Sequence, residues 1–248
     1  MPARQSRPGN LQASASKAAL AATAPPSGIG LASESARVRM IEALRVSGVR
    51  DADVLAAMQA VPRHLFVEGG LASRAYDDVS LPIGHEQTIS RPATVARMIE
   101  LVSGHLTVAQ RRQATALEVG TGCGYQAAVL AQMFGDVVTI ERLRALHESA
   151  RANLRSLRQA NLRLVFGDGC LGAAQAAPFD AVVIAAAGEA IADELLLQMR
   201  VGGRLVAPIV STRRTSQSLH LVERVGQDDW HLTVLDAVKF VPLRSGTR

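Results

Sequence analysis

The residues with the clearest chemical potential sit at turns. The segment ALEVGTGCGYQ, residues 116–126, places Gly120, Gly122 and Gly124 at every second position between two apolar runs. Glycine permits positive φ and removes Cβ, so a ligand can approach the main chain. A helix starting there would also offer free N–H groups. The G-x-G-x-G spacing departs from the G-x-G-x-x-G of dinucleotide loops, whose third glycine would fall on Tyr125 or Ala127. Glu118 stands two residues ahead of the loop. Its carboxylate would repel a pyrophosphate and attract a cation. S-adenosylmethionine carries a sulfonium and an ammonium and fits such a loop better than NAD does. Glu141 closes DVVTIE, where a carboxylate can accept both hydroxyls of a ribose. Asp168 and Gly169 follow LRLVF, and an aspartate there can accept a hydrogen bond from an adenine amino group. Each acid alone is more often a helix N-cap or a solvated charge. Three of them, ending three successive strands, favour a nucleoside ligand.

Those turns need elements to hold them. From residue 113 onward short β-rich runs alternate with helical ones: ATALEV then YQAAVLAQMF, DVVTI then LRALHESARANLRSL, FDAVVIAAA then IADELLLQM, then GGRLVAPI. This alternation predicts an α/β fold with a doubly wound, mostly parallel sheet. SLHLVERV and WHLTVLDAVKFVPL predict an antiparallel edge. Residues 36–104 are mostly helical in pattern. DADVLAAMQA begins on an aspartate suited to an N-cap and stops before Pro62, and PATVARMIELVS runs from Pro92 to Gly104. YDDVSLPIGHEQTIS has no steady period and reads as loop, and TVAQRRQ as a polar linker.

The 248 residues suffice for one substantial core, and 48% are hydrophobic. No apolar run approaches the length of a membrane span. Aromatics make up 3%, too few for a base-stacking surface. The formal net charge of +5 is scattered, with Arg111 and Arg112 in one loop and Arg213 and Arg214 in another, and is read as solvated surface charge. Cys123 and Cys170 form no metal-ligand spacing, and no metal is expected. Residues 1–35, rich in Ala, Ser, Pro and Gly, are read as a disordered tail.

EVGTGCGYQAAVLA, GDG, PFDAVVIAAA and GGRLVAPI together resemble the protein-L-isoaspartate O-methyltransferase family. RHLFV, AYDD, LPIGHEQTISRP and KFVPL resemble the stretches that set this family apart from other methyltransferases. The likeness covers roughly residues 36–243. It implies the S-adenosylmethionine-dependent methyltransferase type of fold over 36–248, with 36–104 as a helical substrate and cover region and 113–243 as the donor-binding core. It implies methyl transfer from S-adenosylmethionine to the free carboxylate of L-isoaspartyl residues in damaged proteins, a repair reaction. Ser90 would be the catalytic residue. Thr88, Ile89, Glu118, Gly120, Gly122, Gly124, Glu141, Asp168 and Gly169 would bind the donor. Ser90 could instead cap the helix that Pro92 opens. The partners would be isoaspartyl proteins and peptides, with no nucleic acid and no membrane, and the chain is expected to be a cytoplasmic monomer. Glu86 stands where the family usually has Gly, Cys123 where Ser is common, and Ala185 and Ala192 where Thr and Pro are usual.

Two other readings compete. One is a methyltransferase acting on another substrate such as RNA. The other is a donor-binding protein without catalysis, for which Glu86 is the only support.

Overall fold

The computed structural model describes residues 29–213 and 216–248. Helices α1 (Ile29–Val46), α2 (Ala52–Ala60) and α3 (Pro92–Ser103) form the N-terminal region, with a two-residue-per-strand hairpin, β1 (Leu81–Pro82) and β2 (Thr88–Ile89), between α2 and α3. Helix α4 (Val108–Arg111) leads into the core: β3 (Thr115–Val119), α5 (Tyr125–Met133), β4 (Asp136–Glu141), α6 (Arg144–Arg155), β5 (Leu162–Phe166), β6 (Phe179–Ile184), α7 (Asp193–Leu197), β7 (Met199–Val210), β8 (Gln217–Gly226) and β9 (Asp229–Val238). The seven-stranded sheet runs β5-β4-β3-β6-β7-β8-β9. Its first five strands in that order are parallel, and β8 and β9 add antiparallel. The expected α/β class and antiparallel edge are both present.

Alternation along the strands divides the core. Ala116, Val137, Ala181, Val183 and Val206 face the layer of α1, α2, α3 and α5. Leu117, Val119, Val138, Ile140, Val182 and Leu205 face the opposite side, packed with Leu195 of α7 and Met199. The order places β3 and β6 side by side with β4 on the far flank of β3, so the chain reverses direction across the sheet at β3. Loops leaving the carboxyl ends of β3 and β4 open into the crevice there, the usual ligand position in such sheets.

Two boundaries and one charge differ from expectation. Helix α1 begins at Ile29, ahead of the boundary at residue 35: its packed residues Met40, Ile41 and Leu44 anchor the helix, and each residue added to an existing helix gains a backbone hydrogen bond. Residues 1–28 of the expected tail, and Arg214, lie outside the described residues. TVAQRRQ is a short helix, not a linker: the Thr107 side chain accepts from the Gln110 N–H while the Gln110 side chain accepts from the Thr107 N–H, a capping box. Arg111 within it is buried, at 5% exposure, and pairs with Asp51 at 2.5 Å and Asp53 at 3.5 Å. It is thus an internal brace to the N-cap of α2, not a solvated charge. Asp51 itself caps α2 as expected, accepting from the N–H groups of Asp53 and Val54.

Candidate functional site

The glycine loop sits between β3 and α5. Gly120, Gly122 and Gly124 have φ of 93°, 55° and 94°, all in the region closed to most side chains. Each has a different neighbour. A Cβ on Gly122 would come within 3.1 Å of Ile83 in the hairpin, and one on Gly124 within 3.0 Å of Leu154 in α6. Gly120 and Gly122 line a cavity of ≈ 860 Å³, whereas Gly124 lies outside its wall. Gly124 is the N-cap of α5, so its absent side chain serves the turn and the packing against Leu154, not a ligand's approach.

Glu118 lies on β3 with its side chain wholly buried and in the cavity wall. Thr139 donates to its Oε2 at 2.5 Å, while Oε1 makes no hydrogen bond of ordinary length among the described residues, although the Gln126 side chain lies near enough to favour the ionised form. Burial pushes its pKa up from 4.5 to about 8, opposed by the Thr139 hydrogen bond and reinforced by the Glu141 carboxylate. A buried carboxyl in the cavity wall, with an oxygen that makes no hydrogen bond of ordinary length among the described residues, is suited to a cationic ligand group. Glu141, at the end of β4, also lines the cavity. Its Oε2 accepts from the Gly122 N–H and its Oε1 from the Leu143 N–H, each at 2.9 Å. These two bonds hold the glycine loop against β4 and leave carboxylate lone pairs for hydroxyl donors.

Asp168 and Gly169 part company. Gly169 lines the cavity and is pressed onto β3, where a Cβ would meet Val119 Cγ1 at 2.3 Å. Asp168 lies outside the wall, and its carboxylate is turned to the chain. Oδ1 accepts from the Cys170 N–H at 2.9 Å, capping a short 3-10 turn, and Oδ2 accepts from the Gly246 N–H at 2.5 Å. Segment 246–248 is laced to the β4–α6 loop as well: Arg142 Nε donates to the Gly246 carbonyl, and the Arg248 N–H to the Arg142 carbonyl, both at 2.9 Å. Sequence reasoning missed this strap, because nothing in SGTR signals a long-range partner.

The opposite wall is the hairpin together with the turn into α3. Thr88, Ile89 and Ser90 all line the cavity. Arg91, not Ser90, is the N-cap of α3, and Asp78 accepts from the Ala93 N–H at 2.8 Å. The capping role therefore belongs to Asp78, and Ser90, not engaged as a cap, lines the cavity. The family-like stretches RHLF, AYDD and TIS interlock here. Arg63 Nε donates to the Ala75 carbonyl at 2.7 Å and Nη2 to the Ser90 carbonyl at 2.8 Å, and His64 Nδ1 bonds the Tyr76 hydroxyl at 2.7 Å. Glu86, at the hairpin tip, has φ of 60°, beside His85 at 52° and Gly84 at 85°. A left-handed turn explains why glycine is usual at position 86.

Cys123 is buried in the wall, and burial raises its thiol to about 11, so it is a small packed residue and not a nucleophile. Among the described residues no cluster of His, Cys, Asp and Glu could hold a metal, and no helix is long and apolar enough to cross a membrane.

Comparison with known proteins agrees with this architecture. A family model described as Protein-L-isoaspartate(D-aspartate) O-methyltransferase (PCMT) matches residues 35–248. A protein-L-isoaspartate O-methyltransferase of Burkholderia orbicola is 56% identical over 223 residues, 90% of this chain and 70% of that protein. Its counterpart from Ralstonia nicotianae is 54% identical over 228 residues, 88% of this chain and 71% of that one. A solved protein-L-isoaspartate O-methyltransferase superimposes with a TM-score of 0.74 at 26% identity, covering 83% of this chain and 65% of that one. A PCMT-type protein of Plasmodium falciparum, solved in complex with S-adenosyl-L-homocysteine, shares the fold with a TM-score of 0.73 at 22% identity, over 86% of this chain and 98% of its own. The chain belongs to the protein-L-isoaspartate O-methyltransferase family.

Proposed function

We propose that this chain is a repair methyltransferase that moves a methyl group from S-adenosylmethionine to the free α-carboxylate of L-isoaspartyl residues in proteins and peptides. One observation carries the reading: Ser90, beside the hairpin, and the buried Glu118, on β3, line the same cavity. The complex of the Plasmodium relative with S-adenosyl-L-homocysteine supports the choice of donor.

The residues fit such a donor. Glu118 offers a buried carboxylate to its positive end, Glu141 offers lone pairs to ribose hydroxyls, and Gly120, Gly122 and Gly169 clear the wall of side chains. Thr88 and Ile89 cover it from the hairpin. Gly124 and Asp168 act indirectly, by shaping the loop and tying down the strap. When bound, the donor supplies an electrophilic methyl group on a good leaving group. The accepting carboxylate is already ionised near neutral pH, so no residue has to remove a proton. What remains is alignment and exclusion of water. The Ser90 hydroxyl donates to the substrate carboxylate and orients one oxygen towards the methyl group. The methyl ester then closes to a succinimide without further help, and hydrolysis of that ring returns some normal aspartate. We further propose that the protein acts as a monomer in the cytoplasm and that nucleic acid is not its substrate.

Two synthetic peptides, identical except for L-isoaspartate or L-aspartate, test the reading with radiolabelled S-adenosylmethionine. Base-labile label on the isoaspartyl peptide alone is the expected result. Label on neither peptide, with donor binding intact by calorimetry, would overturn it.

A further inference from the structure

Arg63 is the most conspicuous group that the reaction leaves unexplained. Its exposure is 0%, and no carboxylate forms an ion pair with it among the described residues. Burying a guanidinium with no carboxylate in contact is costly, the Asp78 charge acting on it only from a distance, and a well-packed apolar residue would often serve stability better. Stability alone therefore gives a poor account of an arginine here.

Its contacts suggest another role. Nη2 donates to the carbonyl of Ser90 at 2.8 Å, and Nε to the carbonyl of Ala75 at 2.7 Å. The guanidinium lies over the ring of Tyr125, 4.7 Å from its centroid. Phe66, from the same 3-10 turn, meets that ring edge-on at 5.6 Å. Tyr125 is the first residue of α5, directly after the glycine loop, and lines the cavity. One rigid, planar group thus grips the backbone of the hydroxyl-bearing residue with one arm and rests on the start of the donor-loop helix with its face. The two walls of the cavity are otherwise on separate elements.

We propose that Arg63 is a positioning residue for methyl transfer, fixing the Ser90 main chain relative to the glycine loop. The inference rests on the role of Ser90 in orienting the substrate carboxylate. Arg63 does not touch substrate; it acts through Ser90 and through the Tyr125 ring. Lysine retains the charge but lacks the fork that reaches two carbonyls and the plane that stacks on a ring.

The experiment is a double-mutant cycle on the purified full chain, with kcat and KM for an isoaspartyl peptide and donor affinity by calorimetry. Arg63→Lys is expected to lower kcat by about 100-fold, the cost of a small misplacement, and to leave donor affinity within about threefold of the parent. The double variant Arg63→Lys, Ser90→Ala is expected to be no slower than Ser90→Ala alone, because misplacing a hydroxyl that is absent costs nothing. Penalties that multiply in the double variant, or donor affinity that falls in step with kcat, would overturn the proposal. Ser90→Ala with undiminished kcat would instead sink the role of Ser90 itself, so the two failures are distinguishable. If Arg63→Lys does not fold, Arg63→Gln, which keeps a planar donor but cannot reach both carbonyls, takes its place, and its cycle with Ser90→Ala carries the same outcomes.

Discussion

The two walls of the cavity are fixed by different means. On the sheet side, Glu118 and Glu141 stand on β3 and β4, whose parallel ladder runs in register from Thr115 with Asp136 to Val119 with Ile140. Their carboxylates are placed by backbone that is buried on both faces. On the other side, Thr88 to Ser90 stand at the end of a hairpin with two residues in each strand, turned by three successive left-handed residues. Such a short hairpin cannot hold itself. It is held by side chains reaching in from outside: Arg63 on the Ser90 carbonyl, and Asp78 on the first turn of α3. The sheet wall, to which we assign the donor, is thus preorganised by secondary structure, and the hairpin wall, to which we assign catalysis, by a few long-range polar contacts. Substitutions on the two walls should separate cleanly in kinetics.

The largest effect is expected at Ser90. Ser90→Ala should lower kcat by about 100- to 1000-fold, the usual cost of losing one aimed donor in a closed site. Donor affinity, measured by calorimetry, should stay within about threefold. Equal losses in both would mean that the walls are not independent. Glu118→Gln should do the reverse and weaken the donor by roughly 10- to 100-fold, as for a hydrogen bond or contact to a charged group. It also carries a pH signature. The folded-state pKa of about 8 lies above the ordinary 4.5, so between those values the folded chain holds a proton that the unfolded chain has lost. Stability of the free protein therefore falls as pH rises from about 4.5 to about 8, and Glu118→Gln should flatten that slope. A cationic donor favours the ionised carboxylate. Binding at pH 7 should then release a proton, and affinity should climb towards pH 8. Calorimetry in buffers of different ionisation heat reads this directly, and the variant should release none.

Next in size is Gly169→Ala. The added Cβ would overlap Val119 Cγ1 at 2.3 Å in a fully packed layer, so either β3 or the loop must shift. A loss of about 1–3 kcal/mol in chemical denaturation is expected, together with weaker donor binding, since both partners line the cavity. Unchanged stability would show that the loop after β5 is looser than its burial implies.

The same contrast explains what the sequence revealed. Strands β3, β4 and β6 alternate with helices, and β3 and β4 end beside glycine or acid, so the sheet, its switch point and the position of Glu118 and Glu141 at the cavity could be derived from periodicity and charge. The fine assignments within that wall were less legible. Asp168 and Gly124 both sit in the right loops, but an aspartate's partner and a glycine's neighbour depend on the Gly246 N–H and on Leu154, each remote in sequence. The catalytic wall had almost no periodic signal. YDDVSLPIGHEQTIS reads as loop, and it is loop apart from a short hairpin. Ser90 was reached only through the likeness of QTIS to a known family. Arg111 looked like ordinary surface charge and Arg63 passed only as part of RHLFV, because nothing local distinguishes a braced internal arginine from a solvated one.

The hairpin tip gives the smallest test and bears on whether this wall is strained. Glu86 has φ of 60° in exposed surroundings, and left-handed backbone costs a residue with a Cβ about 1–2 kcal/mol. Glycine removes that cost and adds freedom to the unfolded chain, which offsets part of the gain. Glu86→Gly should therefore raise stability by no more than about 1 kcal/mol in denaturant titration. Glu86 lines the rim of the cavity, but its carboxylate is solvated and the Ser90 carbonyl is held by Arg63, so kcat should change by less than about threefold. A large rise in turnover would mean that Glu86 restrains the catalytic wall, and that the hairpin, not the arginine brace, sets the position of Ser90.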